Sequence, residues 1–514
     1  MITFKILSPK ISRNSANRGI RQYAESQPGM PLIRRQDFIA GRMPVRSPMR
    51  GMCGPHRSCL SITNMTSCMR RRADRNHELT LTGRKFHGAF RSAPASGGIK
   101  KWTAALLSRK RRDSLKFLVF LIIGITTLDC SARCAEARAG LSCADRFRAE
   151  DAFIVAGPAG EVFYKKNEKS KCIPASTLKI LTGLAALELM GPSYRFKTEF
   201  FLDKDSNLSV KAFGDPLLIS EAWIRIADRL SERIKGFKDL VLDDSYFSIT
   251  GDIPGVGSST NPYDAPVGAL CANFNTIFFD RDESGGIISA EKSTPILPFS
   301  LKKIRGLGLK RGRYTFSHKK RDGARYAGEL LAYFLKEKGV FFKGEIIHNS
   351  SGLKGGLVYT YRSMFTLEDA VQKMLRYSNN FMANQILIAL GAHVLGPPGT
   401  LDKGIKVVLE YAKDKLKLYN IEIVEGSGIS KQNRLAPVDM LTVLNAFSPY
   451  RHLMRKRGEI FYKTGSLTGI RTRAGYIQGP GNRLCPFFIF LAGQDRGIDS
   501  LVHCIKKSVL GLPR

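Results

Sequence analysis

Ser176 and Lys179 stand three residues apart at the head of an apolar run, Ile180 to Met190, that Gly191-Pro192 closes. On a helix this spacing sets both side chains on one face. A serine hydroxyl is a poor nucleophile until a base takes its proton. A lysine in an apolar, desolvated site can lose its own charge and act as that base. Pro174 suits the first turn, where its missing N–H costs nothing. Alone, the pair is a weak signal, because a capped, solvated helix start uses the same residue types. Its weight comes from two later stretches. Ser378-Asn379-Asn380 precedes a helical run, Phe381 to Leu390, and Lys463-Thr464-Gly465-Ser466 follows a strand-like Glu459-Ile460-Phe461-Tyr462. Taken singly, the former reads as a helix N-cap cluster and the latter as an edge strand with a turn.

These residues need a scaffold. Phe153-Ile154-Val155-Ala156, a Gly-rich turn at 157–160 and Val162-Phe163-Tyr164 read as a hairpin of a sheet against which the Ser176 helix packs. Gly475-Tyr476-Ile477 and Phe487 to Leu491 add strands; Glu368 to Arg376, Leu401 to Leu416 and Ser500 to Val509 add helices. About two hundred residues separate Lys179 from Ser378, far more than a sheet-to-helix connection needs. That interval mixes strands (240–242, 276–279) with helices (221–234, 324–338), so it reads as a separately folded insertion. The organisation expected is a main domain at 140–200 and 361–514 and inserted material at 201–360. The fold class is α+β: an antiparallel sheet flanked by helices.

The chain has 514 residues, 43% of them hydrophobic, and a formal charge of +37. Residues 1–110 hold 22 Lys+Arg against 4 Asp+Glu, about half of the excess. The remainder is also basic, which suits work beside anionic envelope polymers or lipid head groups; no nucleic-acid recognition motif accompanies the charge. Residues 1–107 lack periodicity and read as disordered, or as a mispredicted extension with the natural start near Leu107. Cys53, Cys59 and Cys68 lack a fourth well-spaced ligand and read as incidental. At 108–139, Arg109-Lys110-Arg111-Arg112, an apolar stretch from Leu115 to Ile125 and Ala137-Arg138-Ala139 form a secretory signal, too short for a comfortable membrane span. Cys143, Cys172, Cys271, Cys485 and Cys504 follow it, an odd number whose pairing the sequence leaves open. The eight histidines form no H-E-x-x-H pattern, so neither a zinc peptidase nor any cofactor is expected.

In order, S-x-x-K, S-x-N and K-T-G form a signature shared by β-lactamases and penicillin-binding proteins. From about residue 150 onward the chain resembles the low-molecular-mass class C penicillin-binding proteins, D-alanyl-D-alanine carboxypeptidases/endopeptidases. Phe213-Gly214-Asp215-Pro216-Leu217, Leu242-Asp243-Asp244-Ser245-Tyr246-Phe247 and Glu425-Gly426-Ser427-Gly428-Ile429-Ser430 also resemble stretches of that family. The first two lie in the insertion, which single-domain serine β-lactamases lack. The resemblance implies a transpeptidase-like fold in which Ser176 attacks the penultimate D-alanine carbonyl of peptidoglycan stem peptides and neutral Lys179 takes its proton. Backbone N–H groups of Ser176 and Ser466 would hold the oxyanion. Ser378, helped by Lys463, would relay a proton to the leaving amine, and Asn380 would hold the substrate amide. Thr464, Gly465 and Ser466 would line the terminal-carboxylate site. Asp243 would face the substrate side chain, as would Lys431, where relatives carry arginine and its two-pronged fork. β-Lactams would inhibit, and the protein would be periplasmic or peripherally bound to the cell envelope. The alternatives are a noncatalytic wall-binding protein and a β-lactamase; no residue is assignable to activating the deacylating water that a β-lactamase needs.

Overall fold

A computed structural model describes residues 143 and 145–511, apart from 320, 350–354 and 494–496. The expected signal at 108–139, the segment before it and its cysteines lie outside the described residues. Strands β1 (Ala152–Ala156) and β2 (Val162–Lys166) form the expected hairpin. Helix α1 (Lys179–Met190) follows, apolar on nearly every side, and Lys179 through Leu187 are buried without a break. A helix that is hydrophobic all round has to be covered all round.

The next stretch builds its own sheets. Strands β3 (Lys197–Leu202) and β4 (Leu208–Ala212) lead to α2 (Ser220–Ser231), β5 (Gly236–Phe237) and β6 (Leu240–Asp243). Strands β7 (Thr276–Arg281) and β8 (Ile287–Ser289), helix α3 (Pro298–Gly306) and strand β9 (Gly312–Thr315) come next. Helix α4 (Asp322–Glu337) then leads to β10 (Phe341–Phe342), β11 (Ile346–His348) and β12 (Gly356–Arg362). A mixed five-stranded sheet runs β11-β6-β4-β3-β12, and β8-β7-β9 forms a smaller one. The amphipathic α2 and α4 bury Trp223, Ile226, Leu230, Tyr326, Leu330 and Leu331 against these sheets, in a core separate from that of α1.

The chain then returns through α5 (Leu367–Tyr377), α6 (Asn380–Leu395), α7 (Leu401–Leu416) and α8 (Pro437–Phe447). It ends with β13 (Arg455–Arg457), β14 (Ile460–Leu467), β15 (Ile470–Gln478), β16 (Leu484–Ala492) and helix α9 (Ile498–Leu510). The six-stranded antiparallel sheet runs β13-β14-β15-β16-β1-β2. Its period of two divides the strands between two cores. Ile154, Ala156, Ala474, Tyr476 and Phe488 pack with α1 and α5 to α8. Phe153, Val155, Ile477, Phe487 and Ile489 pack under α9. Both faces are therefore covered, which is why β1 and β16 read as unbroken apolar runs. Cys143 and Cys504 form a disulfide that ties the segment before β1 to α9, while Cys172, Cys271 and Cys485 are free and buried. No helix among the described residues is long and apolar enough to cross a membrane.

Two local expectations need correction. Lys463-Thr464-Gly465 lies inside β14 rather than after a strand, because the alternation of buried and half-buried residues runs on through the motif. Ser176 precedes the α-helix, in a 3-10 turn at Ala175–Leu178.

Candidate active site

That turn improves the geometry. A 3-10 turn has three residues per turn, so positions i and i+3 eclipse. Lys179 Nζ lies 3.0 Å from Ser176 Oγ. Ala175, beside Ser176, sits at φ 47°, a left-handed conformation that costs an alanine about 1 kcal/mol or more. Its surroundings hold it there. Ala175 is fully buried, and the Pro174 carbonyl accepts from Thr177 Oγ1 at 2.6 Å and from Thr472 Oγ1 of β15 at 2.8 Å. Two glycines let other segments close on this turn. A Cβ on Gly465 would overlap Thr472 Oγ1 and stand 3.0 Å from the Ala175 Cβ. A Cβ on Gly428, itself at φ +79°, would overlap the Ala175 carbonyl oxygen. The Gly of K-T-G is therefore a packing requirement of the turn that carries Ser176.

Lys179 is wholly buried. Besides Ser176 Oγ, its Nζ contacts Asn380 Oδ1 at 2.8 Å and the Ser427 carbonyl at 2.6 Å. A neutral amine has two N–H donors and one lone pair. The amide and carbonyl oxygens take the donors, which leaves the lone pair for the serine O–H. Burial pulls the Lys179 pKa down from 10.5 to about 7, opposed by the negative charge of Glu425.

Ser378 caps α5 in a left-handed conformation, φ 55°, which turns the chain sharply into α6. The capping role the sequence offered to Ser378 and Asn380 falls instead to Asn379, whose side chain accepts from Met382 N at 3.0 Å. Ser378 is left free to accept from Lys463 Nζ at 2.7 Å. Lys463, also buried, donates to its neighbour's carbonyl, Thr464 O, at 2.6 Å. Its pKa is pushed well down by burial first, then by Lys179, Arg455 and Arg473. Asn380 connects to Lys179, Lys463 to Ser378, and Gly465 to Ala175, so each of the three motifs touches the other two.

The remaining predicted residues divide. Thr464 and Ser466 point to the face of the hairpin opposite Gly465; Ser466 is exposed, and its Oγ accepts from Arg471 Nη1 at 2.9 Å. Asp243, at the end of β6, is buried, 3.2 Å from Lys211 Nζ, and accepts from Ser245 N. Lys211 lies on the neighbouring strand β4 and Ser245 in the turn after β6, and none of these contacts of Asp243 reaches the three motifs. Lys431 is exposed in the turn after Ser430.

Sequence reasoning missed the role of Glu425. This fully buried carboxylate accepts from the backbone N–H groups of Ser427 and Gly428, each at 2.6 Å, and from Ser430 N at 3.3 Å. Asn433 and Asn384 side chains donate to it at 2.8 and 3.2 Å. It folds the loop that offers the Ser427 carbonyl to Lys179, and Thr182 of α1 ties down the same loop through Gly426 O at 2.7 Å. The stretch is visible in sequence, but a backbone carbonyl pointed at a lysine leaves no side-chain signature. Tyr263 was missed too; its carbonyl accepts from Asn380 Nδ2 at 3.4 Å.

The D-Ala-D-Ala carboxypeptidase 3 (S13) family matches this chain over residues 145–306 and 306–452, more than half of its length. The chain belongs to the S13 family. It is a serine D-Ala-D-Ala carboxypeptidase, and the first two motifs lie within the matched span. The third, at Lys463, lies beyond it and joins the site through the contacts above. A curated relative, the D-alanyl-D-alanine carboxypeptidase DacB of Haemophilus influenzae, is 24% identical over 400 residues, covering 64% of this chain and 82% of the relative. The crystal structure of penicillin binding protein 4 from Haemophilus influenzae has the same fold: TM-score 0.55, 20% identity, 68% of this chain and 91% of that one. A second structure of that protein, complexed with a β-lactam, gives TM-score 0.54 at 17% identity, covering 71% and 97%.

Proposed function

We propose that Ser176 is the nucleophile and Lys179 the base of a D,D-peptidase acting on peptidoglycan stem peptides. The observation that carries this reading is the 3.0 Å contact between Ser176 Oγ and a fully buried lysine whose other two contacts are acceptors. Ser176 Oγ adds to the carbonyl of the penultimate D-alanine while its proton passes to Lys179 Nζ. The backbone N–H groups of Ser176 and Ser466 hold the oxyanion; losing one such donor costs about 3 kcal/mol of barrier. Ser378 hands a proton to the departing amine, supported by its bond to Lys463. Asn380 Oδ1 is committed to Lys179, so its contact to the substrate amide runs through Nδ2, released from Tyr263 O. Thr464 and Ser466 hydroxyls receive the terminal carboxylate. Water then cleaves the acyl-enzyme. Asp243 and Lys431 stand as side-chain contacts that require the substrate to reach them. Residues 201–360 act as an inserted domain flanking this site, with 140–200 and 361–514 as the catalytic one.

Export through the leader at 108–139 and a periplasmic or envelope-associated life complete the reading. The Cys143–Cys504 disulfide supports it, since such bonds persist in oxidising compartments. β-Lactams act as inhibitors by acylating Ser176; the β-lactam complex of the Haemophilus influenzae protein supports this. The test is D-alanine release from diacetyl-L-Lys-D-Ala-D-Ala. Ser176→Ala is expected to lose at least about a thousandfold in kcat/KM, as removal of a covalent nucleophile does. Turnover surviving in that variant would disprove the assignment.

A further inference from the structure

Residues 302–319 hold seven Lys and Arg and no Asp or Glu. They supply most of α3, the loop after it and β9, an edge strand of the small sheet β8-β7-β9. Two of the seven are spent inside the fold: Lys303 pairs with Asp322 at 2.6 Å, and Arg313 pairs with Glu291. Lys302, Arg305, Lys310 and Arg311 are exposed and have no acidic partner among the described residues. The turn between β7 and β8 carries Asp282 and Glu283, but Asp282 is committed to its own turn, accepting from Ser284 Oγ and Gly286 N, each at 2.7 Å. An ordinary solvated face mixes the two signs. This one does not.

An apolar side chain stands among the unpaired cations. Ile304 and Leu309 turn inward and pack in the core of α2 and α4, whereas Leu307 is 46% exposed. The loop that presents it is fastened at several points. Leu307 N donates to Lys303 O at 3.1 Å, Gly308 N to Arg305 O at 3.2 Å, and Arg281 Nη2 to Leu309 O at 3.1 Å. Gly308, at φ +59°, makes the turn. Cations alone would suit any polyanion. A leucine held outward between them suits a bilayer, where the cations meet lipid phosphates and the apolar group enters beneath them.

We propose that this tip of the inserted region, formed by Lys302, Arg305, Leu307, Lys310 and Arg311, docks on the surface of a bilayer that contains anionic phospholipid. None of these residues belongs to the three motifs, so the contact is separate from the peptidase reading and does not depend on it.

The test is backbone hydrogen exchange of the full chain, read in peptides spanning residues 302–313. Vesicles are of phosphatidylcholine alone, or of phosphatidylcholine with roughly one-quarter phosphatidylglycerol. A local readout separates this tip from any other segment that meets the lipid. Exchange is expected to slow on the phosphatidylglycerol vesicles and not on phosphatidylcholine, with the effect fading in high salt. Each cation at an anionic surface contributes about fivefold in affinity, so the triple variant Arg305→Gln, Lys310→Gln, Arg311→Gln raises the half-protecting lipid concentration about 100-fold. Leu307→Ser raises it about fivefold. Melting curves confirm folding, and where the triple variant does not fold Arg311→Gln alone decides, with its expected change of about fivefold. Exchange that phosphatidylglycerol vesicles leave unchanged, or that both kinds of vesicle slow equally, overturns the proposal. Slowing by soluble polyphosphate as strong as that by vesicles, and indifferent to Leu307→Ser, overturns the bilayer as the partner and assigns the surface to a soluble polyanion.

Discussion

Acylation of Ser176 should follow the protonation of Lys179, and the size of the effect can be worked out. A free amine near pH 7 requires burial to take the lysine from 10.5 to about 7. At pH 7 an unshifted lysine would be neutral in about one molecule in 3,000, while this one is neutral in about half. The sign follows from the role: the base exists only after proton loss, so the rate rises with pH. Between pH 5 and pH 8 the neutral fraction climbs from about one-hundredth to nine-tenths, a change of roughly 90-fold with unit slope below the midpoint. Lys463 shares the site and is lowered partly by Lys179, so the midpoint belongs to the coupled pair. The assay is the second-order rate of benzylpenicillin acylation, which reports the first step without waiting for deacylation. A profile flat from pH 5 to 8, or one still rising towards pH 10, would refute the claim that a desolvated Lys179 is the base.

Four further outcomes follow. Lys179→Met should abolish acylation yet stabilise the protein at neutral and acid pH. Between about 7 and 10.5 the unfolded chain binds the proton that the folded chain has released, so wild-type stability rises with pH across that window. The variant's advantage should shrink over the same range, from a ceiling of about 5 kcal/mol, as read by denaturant melts at several pH values. Glu425→Gln leaves several backbone N–H groups poorly paired and should lower stability by about 3 kcal/mol or more; it also removes the anion that raises Lys179, so any surviving acylation should show a more acidic midpoint. Gly428→Ala should cut acylation sharply, because a Cβ there overlaps the Ala175 carbonyl, whereas an unchanged rate would show that the turn yields easily. Cys504→Ser should cost about 2–4 kcal/mol in a thermal melt while leaving the acylation rate in place, since the bond fastens α9 on the far face of the sheet.

Much of this was legible because the sequence punctuates itself. The edges of α7, the hairpin of β1 and β2 and the closing helix α9 follow from apolar periodicity and from glycine or proline stops. The three motifs announced the chemistry through residue type and order. Other features had no local sign. A 3-10 turn at Ser176 and a left-handed Ala175 are imposed by Pro174, Thr472, Gly428 and Gly465, which come from segments as much as 298 residues away. A strand read to end at Tyr462 falls short because a lysine and a threonine look polar, yet Lys463 is buried on the inner face of β14. Asp243 is expected from the resemblance to face the substrate side chain, and only the fold reveals Lys211 beside it on the neighbouring strand. The Ser427 carbonyl could not be found by reading side chains at all.

The most direct test of the account is the intact mass of the protein after mixing with benzylpenicillin, beside Ser176→Ala. A long-lived increase of one penicillin mass, present in the wild type and absent in the variant, is the predicted result. An adduct that persists in Ser176→Ala, or no adduct in the wild type, would contradict the assignment of Ser176 as the nucleophile.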